Sequence, residues 1–462
     1  MTAQNRPDHH LAKILGRKDI VLFSISAILL LDTVAAGAAI GVSSLFWWAV
    51  LGLIFFIPFS MICAELGCAF PDQGGIYAWV NRAFGKEWAA RVTWSYWVNV
   101  AVWCPAIHIL FAAMLSQMFF PDLSLFWQIV MGIALTWLTV FTNIITLDIG
   151  KWVPNIGAVI KVWIFIALII GAYVYVQDNG VANEFTMETL IPNLGEGVKF
   201  IPVIIYGMLG FELISAGSKE MKNPAKDVPR SIYISGAIIF VLYFLATLAV
   251  LVAIPFTEIN LVEGLLDTLS LFYGTSPMGV FFVFLLGLGT IYTFFSNGVT
   301  WTLGGNRAMA EAATNGEMPA FMAKTHKTKG TPVGAAISLG VVSTLIIILY
   351  GTMAKNSEAL FWDLFAFSGV IFMLPYLGMM LAFLKLRKTE PDTPRPYRVM
   401  GGKPMAILTA SLCTIILIIA ISLFLYDPNE GLQTTVLCGS IALLLIGEII
   451  IFFEITLNKS EH

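Results

Sequence analysis

Long stretches without charge are the feature that most constrains the fold of this chain. Between residues 20 and 64 the only charged side chain is Asp32, and ten further runs are apolar and carry little or no charge. A membrane-spanning helix needs about 20 apolar residues, and most of these runs reach that length. The composition agrees, since 58% of the residues are hydrophobic and 12% are charged. We therefore predict an all-α polytopic membrane protein.

The runs predict twelve transmembrane helices, because the run at 20–64 accommodates two of them. The long stretch at 268–306 is interpreted as one helix preceded by an external re-entrant or surface segment. The predicted organisation is a cytoplasmic tail at 1–19, a ten-helix core at 20–390 (spans 1 to 5 at 20–177, spans 6 to 10 at 198–388), peripheral helices 11 and 12 at 404–456 and a C-terminal tail at 457–462.

The distribution of Lys and Arg predicts the orientation, because cytoplasmic loops retain these residues. With the N-terminus inside, 23 of the 26 basic residues fall in cytoplasmic segments. Lys199 and Lys355 fall outside, and Lys161 lies within span 5. This split predicts that both termini are cytoplasmic. Short tails and the absence of a cleavable signal fit a multi-pass protein of the bacterial cytoplasmic membrane.

Several functional classes lack their sequence signatures. There is no P-loop, nucleophile elbow or H-E-x-x-H pair, and the five Cys residues lack metal-like spacing. A channel would require rings of charge or repeated filter motifs, and neither appears in this sequence. We expect no enzymatic activity, no cofactor, no metal and no nucleic-acid partner. The expected partners are a small-molecule substrate, protons and the lipid bilayer, with the protein a monomer or homodimer.

Three charged residues lie well inside predicted spans: Asp32 in span 1, Lys161 in span 5 and Glu212 in span 6. A charge at the centre of a membrane helix costs roughly 3 kcal/mol on insertion scales, so each calls for a reason. An acid and a base can pair to fix helix packing. Alternatively, the charged side chains line a polar path through the membrane.

Glycines near two of these charges favour the polar path. Asp32 is followed by Gly37 and Gly41, and Glu212 follows Gly207 and Gly210. A broken membrane helix leaves backbone groups unpaired, which is tolerated where they face water or a ligand, and transporters use such breaks to bind substrates. Spans 1 and 6 each stand first in a set of five, as an inverted repeat requires.

Four stretches of sequence resemble the amino acid/polyamine/organocation (APC) superfamily of transporters, and the best-matching branch is the bacterial glutamate/GABA-type antiporters. The four stretches are "IPFSMICAELGCAFPDQGGIYAWVNRAFG" (57–85), "YGMLGFELISAGSKEMKNPAKDVPRSI" (206–232), "GNRAMAEAATNGEMPAFMAKTHKTKGTP" (305–332) and, more loosely, span 5 around Lys161. The resemblance implies a LeuT-like fold of two inverted five-helix repeats plus two peripheral helices.

The resemblance also implies a function. It is secondary active transport of amino acids or related amines by alternating access, by exchange or proton coupling and without sodium. One alternative is a polyamine or cationic amine uptake permease. Another, of a different class, is an amino acid sensor or receptor built on the transporter fold.

The resemblance assigns roles to residues at both predicted breaks. Ala36 and Gly37 would offer backbone N–H groups to a substrate carboxylate, with Ala36 replacing the usual Ser. Tyr206 matches an aromatic residue that covers the substrate in some relatives, and Gly207 and Gly210 would line the same site.

Two more residues match family positions for proton coupling or gating. Lys161 resembles a span-5 lysine that lies where sodium binds in sodium-driven relatives. It could donate to carbonyl groups of the span-1 break, or it could shuttle a proton. Glu212 matches an acid implicated in proton sensing or gating. In the cytoplasmic stretch 306–329, we predict a short helical hairpin that moves with gating.

Asp32 departs from the family pattern, which has an uncharged residue there. Its carboxylate could attract a substrate amine, pair with Lys161 or take up the transported proton. The sequence leaves all three open.

Overall fold

The computed structural model describes residues 16–71, 74–121, 123–145, 152–192, 196–216, 221 and 223–460. Most of the predicted N-terminal tail and the last two residues of the C-terminal tail lie outside these ranges. Helix dominates the described part of the chain because the runs are long, apolar and poor in helix-breaking residues.

The α-helices of the described residues are α1 (Arg17–Ile28), α2 (Val34–Ala38), α3 (Ser44–Leu51), α4 (Ile57–Ala69), α5 (Ile76–Phe84), α6 (Lys86–Phe119), α7 (Leu125–Ile145), α8 (Trp152–Asn179), α9 (Met187–Leu190), α10 (Ile201–Tyr206), α11 (Leu213–Ala216), α12 (Pro224–Ala253), α13 (Gly264–Tyr273), α14 (Pro277–Thr314), α15 (Val333–Gly351), α16 (Ser357–Thr389), α17 (Gly402–Leu425) and α18 (Thr434–Ser460).

Short elements complete the architecture. They are 3₁₀ turns at Leu31–Thr33, Glu196–Phe200, Phe256–Glu258 and Ala320–Ala323, a π-helical turn at Gly52–Phe56, and two antiparallel strands, β1 (Tyr426–Asp427) and β2 (Gly431–Leu432).

Eleven helical segments in the described ranges are long and apolar enough to cross a membrane. The first of them, Arg17–Ala38, joins α1 and α2 across an interruption, and the second, Ser44–Ala69, joins α3 and α4. Span 6 consists of the short apolar segment Gly197–Tyr206 and, after an interruption, α11. The fold is therefore an all-α polytopic membrane protein, as predicted, and the count of twelve spans stays a prediction.

The helices differ in how deeply they lie in the bundle. In α6, 89% of the most apolar 18-residue stretch is buried within the protein, whereas in α18 the corresponding share is 22%. Helices α14 and α16 pack along α6 and form the centre of the bundle with it. Exposed side chains of α18 are themselves apolar, which suits contact with lipid rather than water.

A buried charge cluster fastens the segment after α16 to α4. The Glu65 carboxylate accepts hydrogen bonds from the Arg387 guanidinium, at 2.7 Å from Nε, and from the Val399 backbone N–H at 2.7 Å. Arg395 lies 3.3 Å from the same carboxylate. Because Glu65 is 1% exposed, these partners offset the cost of burying its charge.

The predicted helical hairpin at 306–329 is wrong. Helix α14 continues through the first part of this stretch to Thr314, and only one 3₁₀ turn, Ala320–Ala323, follows before α15. Gly316 has φ +74°, a left-handed conformation that ends the helix and that glycine adopts without strain.

Candidate functional site

Span 1 is interrupted between α1 and α2, and side chains from three other helices bind the carbonyl groups that the interruption exposes. The hydrogen bonds run from Lys161 Nζ of α8 to the Ser26 carbonyl (2.6 Å), from Trp301 Nε1 of α14 to the Ala27 carbonyl (3.0 Å), and from the Tyr243 hydroxyl of α12 to the Ile28 carbonyl (2.7 Å). The last turn of α1 therefore has its acceptors satisfied without water or ligand.

The Tyr243 hydroxyl also forms a hydrogen bond on the other side of this break. It accepts a hydrogen bond from the Leu30 backbone N–H at 2.6 Å, while the Thr33 hydroxyl donates to the Leu30 carbonyl at 3.0 Å. The span-1 break is thus stabilised by side chains. It precedes Gly37, contrary to the expected glycine-centred break, and the structure places Ala36 and Gly37 inside α2.

Asp32 lies in the 3₁₀ turn that leads into α2. Its side chain is buried, with 3% of the residue exposed, and neither carboxylate oxygen has a hydrogen-bond partner among the described residues. The indole of Trp103 lies beside the carboxylate without hydrogen-bond geometry, and the charge of Lys161 acts on the carboxylate without a direct hydrogen bond. The indole N–H groups of Trp103 and Trp48 also lack partners in the described part of the chain. An unpaired buried carboxylate is costly, so a ligand that pairs with it gains accordingly.

Lys161 is fully buried and does not hydrogen-bond to Asp32. Its ammonium group instead donates to the Ser26 carbonyl and to the side-chain carbonyl of Asn297 on α14. The lysine therefore links α1, α8 and α14. Donation to a carbonyl of the span-1 break is the contact anticipated for it in the sequence.

Span 6 is interrupted between Tyr206, the last residue of α10, and Leu213, the first of α11. Gly210 has φ +125°, and a Cβ atom there would lie 2.9 Å from Ile28 Cγ1 and 3.4 Å from the Trp301 ring. A Cβ on Gly207 would lie 3.3 Å from the Tyr243 hydroxyl. Glycine is therefore needed for the close approach of the two breaks, at the position where the glycine pattern predicted one.

Tyr206 is buried against two phenylalanines of α16. The ring centroids lie 4.7 Å from Phe365 and 4.9 Å from Phe372. Trp301 contacts Phe372 as well, with centroids 5.3 Å apart, and lies 6.0 Å from Trp103. These rings form a continuous aromatic cluster next to the two breaks.

Glu212 is held by two tyrosines. The hydroxyl groups of Tyr96 (3.0 Å) and Tyr376 (2.8 Å) both donate to one carboxylate oxygen, and the other oxygen has no partner among the described residues. The side chain is 2% exposed. Glu212 is thus partly satisfied within the protein, whereas Asp32 is not.

A cavity of about 670 Å³ reaches Glu212 and Tyr96 from the side that carries Arg307 and Lys329, which is the predicted cytoplasmic side. Its lining does not include Asp32. The Trp301 ring packs between Tyr96 (centroids 6.3 Å apart) and Trp103, so the aromatic cluster separates the cavity from the neighbourhood of Asp32.

Sequence reasoning missed five side chains of this site: Tyr243, Trp301, Asn297, Tyr96 and Tyr376. Only Asn297 had a local signal, since it is a polar residue deep in an apolar run. The three tyrosines and the tryptophan look like ordinary residues of membrane helices. His108 was not assigned to the site, and its Nδ1 lies 2.7 Å from the Thr136 hydroxyl in the helix packing.

The model of the amino acid permease family matches residues 15–447. The chain belongs to the amino acid permease family. It is 35% identical to the probable agmatine/putrescine antiporter AguD of Lactococcus lactis, over 96% of this chain and 97% of that protein. It is 23% identical to the branched-chain amino acid permease BcaP of Bacillus subtilis over 90% of each chain, and 24% identical to the aspartate/glutamate permease AcaP of Lactococcus lactis over 82% of this chain and 81% of that one.

These matches confirm the predicted APC relationship. The permease is a multi-pass cell membrane protein that transports amino acids or related amines, and it is not an enzyme.

Proposed function

We propose that the permease exchanges cationic amines, of the class represented by agmatine and putrescine, across the bacterial cytoplasmic membrane. The observation that carries this proposal is the Asp32 carboxylate, which is buried and has no partner in the described residues. The relative that is 35% identical over nearly the whole chain is named as a probable agmatine/putrescine antiporter, which supports the same substrate class.

The environment of Asp32 suits an ammonium or guanidinium group. A cation placed against the carboxylate would neutralise it where the effective dielectric constant is low and the attraction strong. The Trp103 indole beside the carboxylate gives a bound amine an aromatic neighbour. An amine could therefore be held by one charge contact and one ring without rearranging the span-1 break.

The remaining substrate-binding residues of the proposal belong to the two breaks and their surroundings. Tyr206, Gly207 and Gly210 lie on span 6, and Ala36 and Gly37 lie on α2 next to Asp32 in sequence. The two breaks approach closely, since a Cβ on Gly210 would lie 2.9 Å from Ile28 Cγ1, and this supports one site shared by both breaks. We assign the aromatic ring of Tyr206 to covering the substrate, since it lies within the aromatic cluster.

Lys161 supports transport without sodium. Its ammonium group binds the Ser26 carbonyl of span 1 and the Asn297 side chain of α14, which is span 8; these are oxygen ligands of the kind a sodium ion would require. A fixed positive charge on these oxygens repels a second cation. We assign Lys161 to coupling the positions of spans 1, 5 and 8.

Glu212 is assigned to gating and proton coupling. It faces the cavity on the predicted cytoplasmic side and joins span 6 to α6 (span 3) through Tyr96 and to α16 (span 10) through Tyr376. Protonation changes a carboxylate from an acceptor into a donor, so the hydrogen bonds with the tyrosines depend on its charge state. Exchange requires that this gate opens only when the site is occupied.

The test is counterflow into proteoliposomes that contain the purified permease. Vesicles loaded with unlabelled putrescine should accumulate external labelled agmatine, whereas empty vesicles should not. Replacing external sodium with potassium should leave the rate unchanged. Accumulation in empty vesicles, driven by an imposed pH gradient, would instead indicate proton-coupled uptake. Binding without any flux would indicate a sensor.

A further inference from the structure

We infer that Asp32 makes the site select against ligands that carry a carboxylate, so that the permease accepts decarboxylated amines and rejects the amino acids from which such amines derive. The inference rests on the proposed function and adds its specificity. The amines and the amino acids from which they derive share the same cationic end and differ in the carboxylate, and the inference concerns that carboxylate alone.

The α1 side of the span-1 break offers little to a ligand carboxylate. The Leu30 N–H is already used by the Tyr243 hydroxyl. The other groups that α1 exposes at the break are carbonyl oxygens, which accept hydrogen bonds and cannot donate them. Even these are occupied, by the side chains of Lys161, Trp301 and Tyr243.

In the described part of the chain, Lys161 is the cation that acts on Asp32, and its ammonium group is committed to Ser26 and Asn297 rather than free to neutralise a ligand carboxylate. The unpaired side-chain donors near the break, among the described residues, are neutral: the indole N–H groups of Trp48 and Trp103, the Asn297 amide and the Ser26 hydroxyl. Each can supply one neutral hydrogen bond, which is weaker than a charge-assisted one.

Asp32 itself opposes a second carboxylate. Both of its oxygens are unpaired and the residue is buried, so its charge is poorly screened. Two carboxylates held about 6 Å apart at an effective dielectric constant near 20 repel each other enough to weaken binding roughly a hundredfold. The Asp32 carboxylate therefore disfavours binding of an amino acid, which carries a carboxylate of its own.

The experiment uses pairs of ligands that differ by one carboxylate: agmatine with arginine, putrescine with ornithine, and cadaverine with lysine. Dissociation constants are measured by calorimetry on the intact, detergent-solubilised permease. In wild type, each amine should bind about a hundredfold more tightly than its carboxylated partner. In Asp32→Asn, the amine should bind more weakly and the amino acid more tightly, so that the two constants come within about tenfold.

Two variants control for loss of structure. Asp32→Glu keeps the charge and should keep the preference for the amines, even if both affinities fall. Asp267→Asn removes a half-buried carboxylate on α13 that is bonded to Gln117, away from the site, and should leave the ratio unchanged. Melting temperatures of all variants show whether each remains folded.

The outcomes separate this inference from the proposed function. Equal binding of agmatine and arginine by wild type would overturn the selectivity and leave amine transport intact. An unchanged ratio in Asp32→Asn would likewise remove Asp32 as its source. Failure of wild type to bind any of the three amines would overturn the proposed function itself.

Discussion

The two helix breaks contain one acidic residue each, and the protein treats them differently. At the span-1 break, side chains from α8, α12 and α14 satisfy the exposed backbone, while the Asp32 carboxylate is left without a partner in the described residues. At the span-6 break, Gly210 allows the tight approach, and the Glu212 carboxylate is bonded to two tyrosines.

This difference assigns the two acids to different tasks. A buried carboxylate that the protein leaves unpaired gains most from a ligand, whereas one that is already hydrogen-bonded across three helices gains most from a change in those helices. The cavity adds to the contrast because it reaches Glu212 and does not reach Asp32. Asp32 therefore fits a substrate contact and Glu212 fits a gate.

The largest effect is expected where the two breaks touch. Gly210→Val should abolish transport, because even a Cβ atom at this position would lie 2.9 Å from Ile28 Cγ1 and φ is +125°. Strain of this kind costs about 1–3 kcal/mol for the backbone, with overpacking in addition. Labelled agmatine uptake and the melting temperature measure the two losses.

Gly37 provides the matched control for this prediction. A Cβ there meets only the Trp48 indole nitrogen, at 4.0 Å, and the residue lies inside α2. Gly37→Ala retains the backbone N–H through which Gly37 would contact a substrate and adds a Cβ without a close neighbour, so it should keep most of the transport activity, whereas Gly210→Ala should lose at least tenfold. Equal activity of the two alanine variants would mean that the breaks do not need to approach closely.

Lys161 should have the next largest effect, since it bonds the span-1 break to two other helices. Lys161→Met keeps most of the side-chain volume and removes the donor, leaving the Ser26 carbonyl and Asn297 without it. Each buried polar group left unpaired costs about 1–3 kcal/mol. We expect a lower melting temperature and at least a tenfold loss of agmatine uptake.

Exposed Lys355 on the predicted external side serves as the comparison, and Lys355→Met should leave uptake unchanged. Normal, pH-dependent uptake by Lys161→Met would remove Lys161 from the mechanism.

Glu212→Gln tests the gate separately from the binding site. The glutamine side-chain carbonyl can still accept hydrogen bonds from Tyr96 and Tyr376, but the group no longer takes up a proton. Uptake should continue with a reduced rate, and its dependence on pH between 5 and 8 should flatten. A pH profile identical to that of wild type would contradict a proton role for Glu212.

The smallest effect is expected at Glu317, another carboxylate bonded to a tyrosine, which lies outside the predicted spans. It accepts a hydrogen bond from the Tyr77 hydroxyl at 3.1 Å. Burial raises the pKa of the Glu317 carboxyl from 4.5 to about 7, against the opposing effects of the Tyr77 hydrogen bond and of Lys86; nearby Glu311 raises it further.

The folded protein thus binds this proton more tightly than the unfolded chain, so the free energy of unfolding falls as pH rises from 4.5 to about 7. Glu317→Gln removes that loss. At pH 8 the variant should be more stable than wild type by about 1 kcal/mol after allowance for solvent screening, with no gain at pH 4.5. Thermal unfolding at both pH values measures it, and Glu184→Gln is the exposed control. A gain of equal size at both pH values would exclude titration of Glu317 as its cause.

The sequence predicted the two breaks with unequal success for a physical reason. Span 6 is broken at glycines, which are visible in the sequence, and the structure has its break there. Span 1 is broken before its glycines, because Tyr243 and Lys161 reach it from helices more than a hundred residues away. A break stabilised by tertiary contacts leaves no local pattern.

The same distinction separates the site residues that the sequence reveals from the contacts that it does not reveal. Asp32, Lys161 and Glu212 could be found because charge is rare inside apolar runs. Whether each charge is paired depends on packing: Lys161 binds Asn297 rather than Asp32, and Glu212 binds two tyrosines. Those contacts distinguish a ligand contact from a gate, and they follow only from the arrangement of the helices.

The most direct test of the contrast is the dissociation constant of agmatine, measured by calorimetry for wild type, Asp32→Asn and Glu212→Gln. Removing one partner of a buried charge pair costs about 3–5 kcal/mol, so Asp32→Asn should bind agmatine at least a hundredfold more weakly. Glu212→Gln should bind within about threefold of wild type, a difference below 1 kcal/mol. Equal losses in the two variants, or a larger loss in Glu212→Gln, would contradict the assignment of Asp32 to the substrate and Glu212 to the gate.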